Sequence, residues 1–294
     1  MKPLKLLRPE TGTHMLVGGL LDHRIRITLA GAGGNGSQML SGLARLHTAL
    51  IKLGHPGGLH VTVFDPDNVS ESNVGRQLFY SADIGQPKSF VLVNRFNLAF
   101  GLDWGGEAQP FGFDKTGGTA GDIVISCVDS AKSRREIHEL MGSYYNKPKY
   151  WLDLGNMQRF GQVVLGQPVD SISAGSVSKT WLSDRAANSE LSAKKLLNEI
   201  RLPTIIDLAP ELLDKSFMED DTPSCSLAQA LERQDLFVNQ FVATAGLQLL
   251  WRLLREGRTT VHGAYINLDT LQINPIPVPA RCDNAPKAEQ RKAA

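Results

Sequence analysis

The sequence predicts an α/β fold, a doubly wound and mainly parallel sheet completed by a C-terminal helix and a β-hairpin. Three observations predict it. Short β-branched runs alternate with helical apolar patterns, a glycine cluster Gly31-Ala-Gly-Gly-Asn-Gly-Ser37 separates the first such pair, and two of the runs close on an aspartate, Asp65 and Asp129.

The elements follow in order. Arg26-Ile-Thr-Leu-Ala-Gly31 reads as a buried parallel strand entering a tight turn. Beyond the glycines, Met39, Leu40, Leu43, Leu46 and Leu50 recur at helical spacing. Leu59-His-Val-Thr-Val-Phe64 is a second strand ending on Asp65, which makes a right-handed βαβ unit. Residues 83–100 read as a helix starting at Asp83, and 122–128 as a further buried parallel strand that delivers Asp129. A helix over 131–145 and strands at 150–154 and 161–165 continue the alternation.

Residues 170–222 differ, being Ser-rich, then charged, and ending in Glu219-Asp-Asp-Thr-Pro223; they predict a partly mobile insertion or crossover. The run from Leu236 to Leu254 matches a membrane span in length but carries Asn239, Gln240, Thr244, Gln248 and Arg252. Such groups are costly in hydrocarbon, so a buried helix over 235–255 is predicted instead. Alternating runs around Asn267–Thr270 predict the hairpin, stopped by Pro275, Pro277 and Pro279. The chain thus divides into a nucleotide-binding core over 24–165, a crossover segment over 166–222, a C-terminal part of the same domain over 223–280, and a disordered tail over 281–294.

Composition narrows the function. The 294 residues hold 31 Lys and Arg against 30 Asp and Glu, so no global field draws the protein to nucleic acid or a membrane surface. Cys127, Cys225 and Cys282 are too few for a disulfide framework, and the N-terminus lacks a secretory pattern, which predicts a cytoplasmic setting. Without a CxxC pair, a four-thiolate zinc site is excluded within one chain. The histidines have no metal-ligand spacing.

Gly31, Gly33 and Gly36 match the GxGxxG spacing, with Gly34 between them. Such a turn brings backbone close to phosphates at a helix N-terminus, and Asp65 is placed to accept ribose hydroxyls. NAD and ATP are served equally, and a turn that merely packs helix on strand remains the plain alternative. The next segment discriminates. Asp65, Asp67, Asn73, Arg76, Gln77 and Lys88 lie close together in the chain. Hydride transfer needs no such cluster, whereas Arg and Lys stabilise charge on a reacting α-phosphate and a departing pyrophosphate, and Asn or Gln orient oxygens. Asp129 at a strand's carboxyl end would hold Mg²⁺. Taken singly, Arg76 and Lys88 could be solvated charges and Asp129 a helix N-cap.

The ordered series Gly31-Ala-Gly-Gly-Asn-Gly-Ser37, Asp65-x-Asp67, Ser72-Asn73-x-x-Arg76-Gln77, Gly85-Gln-Pro-Lys88 and Cys127-Val-Asp129 resembles the ThiF/MoeB and ubiquitin-activating-enzyme adenylation family, and within it the ThiF-like members of bacterial PRTRC cassettes. The resemblance is strong over about 24–165 and looser over 221–277. It implies a Rossmann-like adenylation fold, twofold dimers, and adenylation of the C-terminal carboxylate of a small ubiquitin-like protein with ATP and Mg²⁺. It further implies that Asp65 binds the ribose, that Asn73, Arg76 and Gln77 hold the triphosphate, that Lys88 stabilises the transferring phosphate, and that Asp129 sits at the metal. Ser130 stands where the family motif has Asn, while the motif's Arg is kept as Arg134, which the resemblance counts with Asp67 among the nucleotide-binding residues. The zinc-binding members' CxxC pairs are missing, so no structural zinc is expected. An Arg-rich N-terminal helix reaching a partner's site is not matched, since only His23, Arg24 and Arg26 lie near that place.

Cys225, in Thr-Pro-Ser-Cys225-Ser-Leu, precedes a helical pattern. A helix N-terminus favours thiolate, and the segment resembles the Pro-Ser-Cys element that carries the thioester cysteine of activating enzymes. The alternative is a buried cap cysteine, and Glu219, Asp220 and Asp221 oppose ionisation. Two other functions stay beside activation: a NAD-dependent oxidoreductase on the same glycine turn, and a scaffold that binds a ubiquitin-like protein without chemistry.

Overall fold

The structure, a computed structural model, describes residues 12–112, 120–143, 148–168, 201–214 and 234–280, with 228 and 231 as isolated positions. Its elements are β1 (His14–Met15), β2 (Ile25–Ala30), α1 (Gly34–Lys52), β3 (Leu59–Phe64), α2 (Lys88–Phe100), β4 (Gly105–Glu107), β5 (Ile123–Ser126), α3 (Ala131–Ser143), β6 (Tyr150–Asn156), β7 (Phe160–Gly166), α4 (Ile205–Leu208), α5 (Val238–Glu256), β8 (Arg258–Thr259), β9 (Val261–Asn267) and β10 (Gln272–Pro277).

The main sheet runs β10-β9-β7-β6-β5-β2-β3-β4, and β1 pairs separately with β8. From β4 to β6 every pairing is parallel, while β6 to β10 pair antiparallel. The chain leaves β2 toward β3 and β4, then returns to β5 on the other side. The strand order therefore reverses between β2 and β5, where open α/β sheets bind ligands beyond the strands' carboxyl ends.

Helices cover both faces. On one face Met39, Leu40, Leu43, Leu46 and Leu50 of α1 are buried as their spacing predicts, and α5 lays Val242, Leu249, Leu250 and Leu253 into the same core. The two helices meet closely: a Cβ on Gly42 would fall 1.9 Å from a methyl of Leu247. The apolar helix predicted at 235–255 is thus buried within its own chain, and among the described residues no helix is long and apolar enough to cross a membrane. On the other face Ile137 and Met141 of α3 pack with Trp151, Val164, Ile205 and Ile206.

The structure corrects several sequence boundaries. The helix expected from Asp83 starts at Lys88; Ser81–Asp83 is a separate 3-10 turn, because Pro87 removes a donor and holds Gln86 out of helical geometry. The strand expected over 122–128 is Ile123–Ser126, with Asp122 turned to accept the Arg26 N–H at 2.8 Å. Pro275 and Pro277 do not stop the hairpin but lie inside β10, which an edge strand tolerates. The β4 strand and the β1–β8 pair were not expected. The crossover and tail readings fall largely, and that for Cys225 wholly, outside the described residues.

Candidate functional site

The carboxyl end of β2 runs into Gly31, whose φ of +93 excludes most side chains and whose Cβ would lie 2.7 Å from the Cys127 carbonyl oxygen. Across the turn, a Cβ on Gly36 would sit 1.9 Å from the Gly31 carbonyl oxygen. Only glycine lets the turn close. Gly33 caps α1, which begins at Gly34 with no acidic residue in its first turn, so the helix N-terminus faces the switch point without a built-in counter-anion.

Asp65, at the end of β3, fastens this turn from the side. Its carboxylate accepts the Ala32 N–H at 2.6 Å and the Asp67 N–H at 2.9 Å. Burial raises its carboxyl above the ordinary value, opposed by the nearby Lys88 charge and by those two N–H groups. Lys88 opens α2 and is more than nine-tenths buried, with Nζ 2.8 Å from the exposed carboxylate of Asp67.

Between them the chain folds back over the glycines. The Asn73 Oδ1 accepts the Ser70 N–H at 3.0 Å and caps the 3-10 turn Glu71–Asn73, which aims the next residues inward. Arg76 is half-buried: Nη1 donates to the Gln234 Oε1 at 2.7 Å, Nε is buried without a partner, and burial lowers its pKa. The buried Gln77 lies over the turn, its Nε2 4.0 Å from where a Gly33 Cβ would be, and its Oε1 has no partner. The site thus offers a donor and an acceptor that nothing among the described residues satisfies.

Beyond β5, Asp129 is exposed at the same end of the sheet. It does not cap α3; the Ser130 Oγ does, accepting the Ser133 N–H at 3.1 Å. Arg134 is committed to the scaffold. Its Nε is 3.1 Å from the Asp153 carboxylate, and Nη2 donates to the Val128 carbonyl at 2.8 Å. The guanidinium therefore holds the segment that presents Asp129. Cys127 sits beside this pair, and burial, with Asp153 adding to it, pushes its thiol well above the ordinary value.

The model of the ThiF family matches residues 21–289. The chain belongs to the ThiF family. Among solved structures, PaaA aligns at TM-score 0.51 and 12% identity over 88% of this chain and 65% of that one. Escherichia coli MccB aligns at 0.51 and 14% over 87% and 63%, and MccB with MccA at 0.51 and 13% over 89% and 66%. At such identities the likeness is one of fold, and this ThiF-family chain spans about two thirds of those proteins' length. No protein of curated function matches.

In this ThiF-family fold the glycine turn, Asp65, Asp67, Asn73, Arg76, Gln77, Lys88 and Asp129 gather at the carboxyl ends of β2, β3 and β5. Among the described residues no three His, Cys, Asp or Glu side chains cluster as a metal cage. Mg²⁺ asks for no such cage, needing one or two carboxylates plus phosphate oxygens, and exposed Asp129 fits that demand. Sequence reasoning missed Asp153, Gln234, Asn35, Asn156 and Asn239. Asp153 and Asn239 carried a signal, each as a polar residue inside an apolar run, at 150–154 and 236–254.

Proposed function

We propose that this chain is an ATP- and magnesium-dependent enzyme that adenylates the C-terminal carboxylate of a small ubiquitin-like protein. The observation that carries the reading is the buried Arg76 Nε, which has no partner among the described residues and adjoins Gln77 over the glycine turn, taken together with buried Lys88. Buried cations without full counterions are costly, and phosphates repay that cost. Hydride transfer asks for fewer such cations, because a dinucleotide's two phosphates carry less charge than a triphosphate and none of that charge builds up in the reaction.

In the reaction a carboxylate oxygen attacks the α-phosphorus, the α–β phosphoanhydride bond breaks, and pyrophosphate leaves with the bonding pair. The turn at Gly31, Gly33, Gly34 and Gly36 lets main-chain N–H groups reach the phosphates. Asp65 takes the ribose hydroxyls on its remaining lone pairs. Lys88 exchanges Asp67 for phosphate, and Arg76 exchanges Gln234, so charge that builds on the phosphates meets cations already desolvated. Asp129 would hold Mg²⁺, which when bound neutralises charge on the departing pyrophosphate. Arg134 acts as a positioning residue for Asp129. Transfer of the acyl group from AMP to the Cys225 sulfur is a second step supported by the sequence alone.

The test is exchange of labelled pyrophosphate into ATP with a ubiquitin-like protein ending in glycine. Asp129→Ala and Arg76→Ala are expected to lose about 10²-fold or more. Cys225→Ala is expected to keep exchange and lose only the reducible thioester. Absence of exchange by the unsubstituted enzyme overturns the reading.

A further inference from the structure

The segment that carries Arg76 and Gln77 leaves the sheet after Asp65 and returns at Lys88, and its two limbs are joined at the neck. There the Val69 N–H donates to the Gln86 carbonyl and the Gly85 N–H to the Val69 carbonyl, both at 2.9 Å, while the Lys88 N–H donates to the Asp67 carbonyl at 3.0 Å. Beyond the neck the chain folds over the glycines, where Arg76 Nη1 bonds Gln234 at 2.7 Å. In the proposed reaction phosphate takes that bond over. The place of Arg76 must then be set by its neighbours in the chain.

Leu78 is the neighbour that sets it. Its N–H donates to the Ser37 Oγ at 3.3 Å, in the first turn of α1, and its carbonyl accepts from Arg95 Nη1, in the middle of α2. Two residues past Arg76, the main chain is thus fastened to both helices. Arg95 grips the same segment in two further places. Its Nη2 donates to the Asp83 carboxylate at 2.6 Å, and its guanidinium carbon lies 4.5 Å from the centre of the Tyr80 ring. Asp83 in turn accepts the Tyr80 N–H at 2.7 Å and so closes the 3-10 turn Ser81–Asp83.

One planar fork therefore holds a carbonyl, a carboxylate and a ring face, which the single nitrogen of a lysine cannot do at once. The Arg95 and Asp83 side chains are 27% and 13% exposed, more enclosed than a solvated helix charge requires. Position on α2 adds to the case. Arg95 follows Lys88 by seven residues, two turns along the same face and about 10 Å further from the helix start. The same helix face thus supplies Lys88 directly and governs Arg76 through the loop.

We propose that Arg95 is a positioning residue for nucleotide binding, clamping the Leu78 carbonyl and Asp83 so that Arg76 stands over the glycine turn where a triphosphate meets it. This deepens the adenylation reading, on which it rests for the ATP site but not for the acyl acceptor.

The test titrates Mg·ATP and adenosine against the whole protein by isothermal titration calorimetry. Adenosine keeps the ribose but brings no phosphate. Arg95→Met is expected to weaken Mg·ATP about tenfold and to leave adenosine unchanged. Arg95→Lys keeps the charge and loses the fork, so it should weaken Mg·ATP nearly as much, and it carries the test where Arg95→Met does not fold. Once Arg76→Ala has removed the side chain that the clamp serves, adding Arg95→Met should change Mg·ATP affinity by less than about twofold. Full additivity of the two substitutions overturns the proposal. So does an equal loss of adenosine and Mg·ATP, which would make Arg95 a general brace, or an Arg95→Lys protein that binds Mg·ATP like the unsubstituted one. Mg·ATP affinity that follows these variants in a protein without pyrophosphate exchange removes the adenylation reading and leaves this one standing. Exchange whose KM for ATP is unmoved by Arg95→Met and Arg95→Lys does the reverse.

Discussion

Gly36 carries the tightest constraint in the site. A methyl group there would overlap the Gly31 carbonyl oxygen, at 1.9 Å, and that oxygen belongs to backbone that cannot rotate away. Gly36→Ala is therefore expected to push the first turn of α1 off the end of β2, abolish ATP binding, and cost about 1–3 kcal/mol in urea denaturation. Gly142 in α3 is the control, because a Cβ there meets nothing within 4 Å. Gly142→Ala should leave nucleotide binding intact and stability unchanged or raised by up to about 1 kcal/mol, since alanine is the better helix former. At this scale the sequence is legible. The glycine spacing, Asp65 and the Arg76–Gln77 pair could be read directly, because each acts through local backbone geometry or its place at a strand end.

At the scale of elements, the parallel strands were legible because burial on both faces demands unbroken β-branched runs, as in β2 and β5. The β4 strand was not, since Gly105-Gly-Glu107 has neither alternation nor β-branched residues and is ordered by pairing with β3. The joint between β5, β6 and α3 was hidden for another reason. Arg134 and Asp153 are far apart in sequence, and nothing local shows that they meet. Asp153 also accepts the Ser126 Oγ–H at 2.6 Å, and the Trp151 Nε1–H donates to the same hydroxyl at 2.7 Å, so the buried carboxylate ties two strands and a helix. Removing one partner strands the other's charge. Arg134→Ala and Asp153→Ala should each cost about 3–5 kcal/mol by chemical denaturation, and Arg134→Met with Asp153→Leu should recover much of that loss. Adenylation by the double variant should stay low even where stability returns, because Asp129 has lost the guanidinium that fixes the Val128 carbonyl.

For the whole molecule, one core joins the parallel half that carries the glycine turn to the antiparallel half that carries β7, β9 and β10, through the seam of α1 on α5. An amide chain crosses that seam, the Asn35 Nδ2 donating to the Asn156 Oδ1 at 2.8 Å and the Asn156 Nδ2 to the Asn239 Oδ1 at 3.2 Å. Single-sequence reading missed it because the three look like unrelated polar residues until the helices pack. Histidines in or against the same core bear on its stability in acid. His47, His55 and His262 all have lowered pKa values, in each case chiefly through burial. His55 must stay neutral, because its Nδ1 accepts the Gly58 N–H at 2.9 Å. With folded values below the ordinary 6.5, the unfolded chain binds protons first, so stability is full above 6.5 and falls as pH drops through the folded values. Asp65 has the opposite sign. Its raised carboxyl lets the folded protein take up a proton more readily than the unfolded chain, so its contribution improves on acidification through a window starting above 3.8. The melting temperature is therefore expected to fall between pH 7 and 5, where the three histidines act together. His262→Gln should flatten part of that slope, since an uncharged amide can still donate to the Leu165 carbonyl that His262 now contacts. A melting temperature that is level across this range would show that the buried rings do not control acid stability.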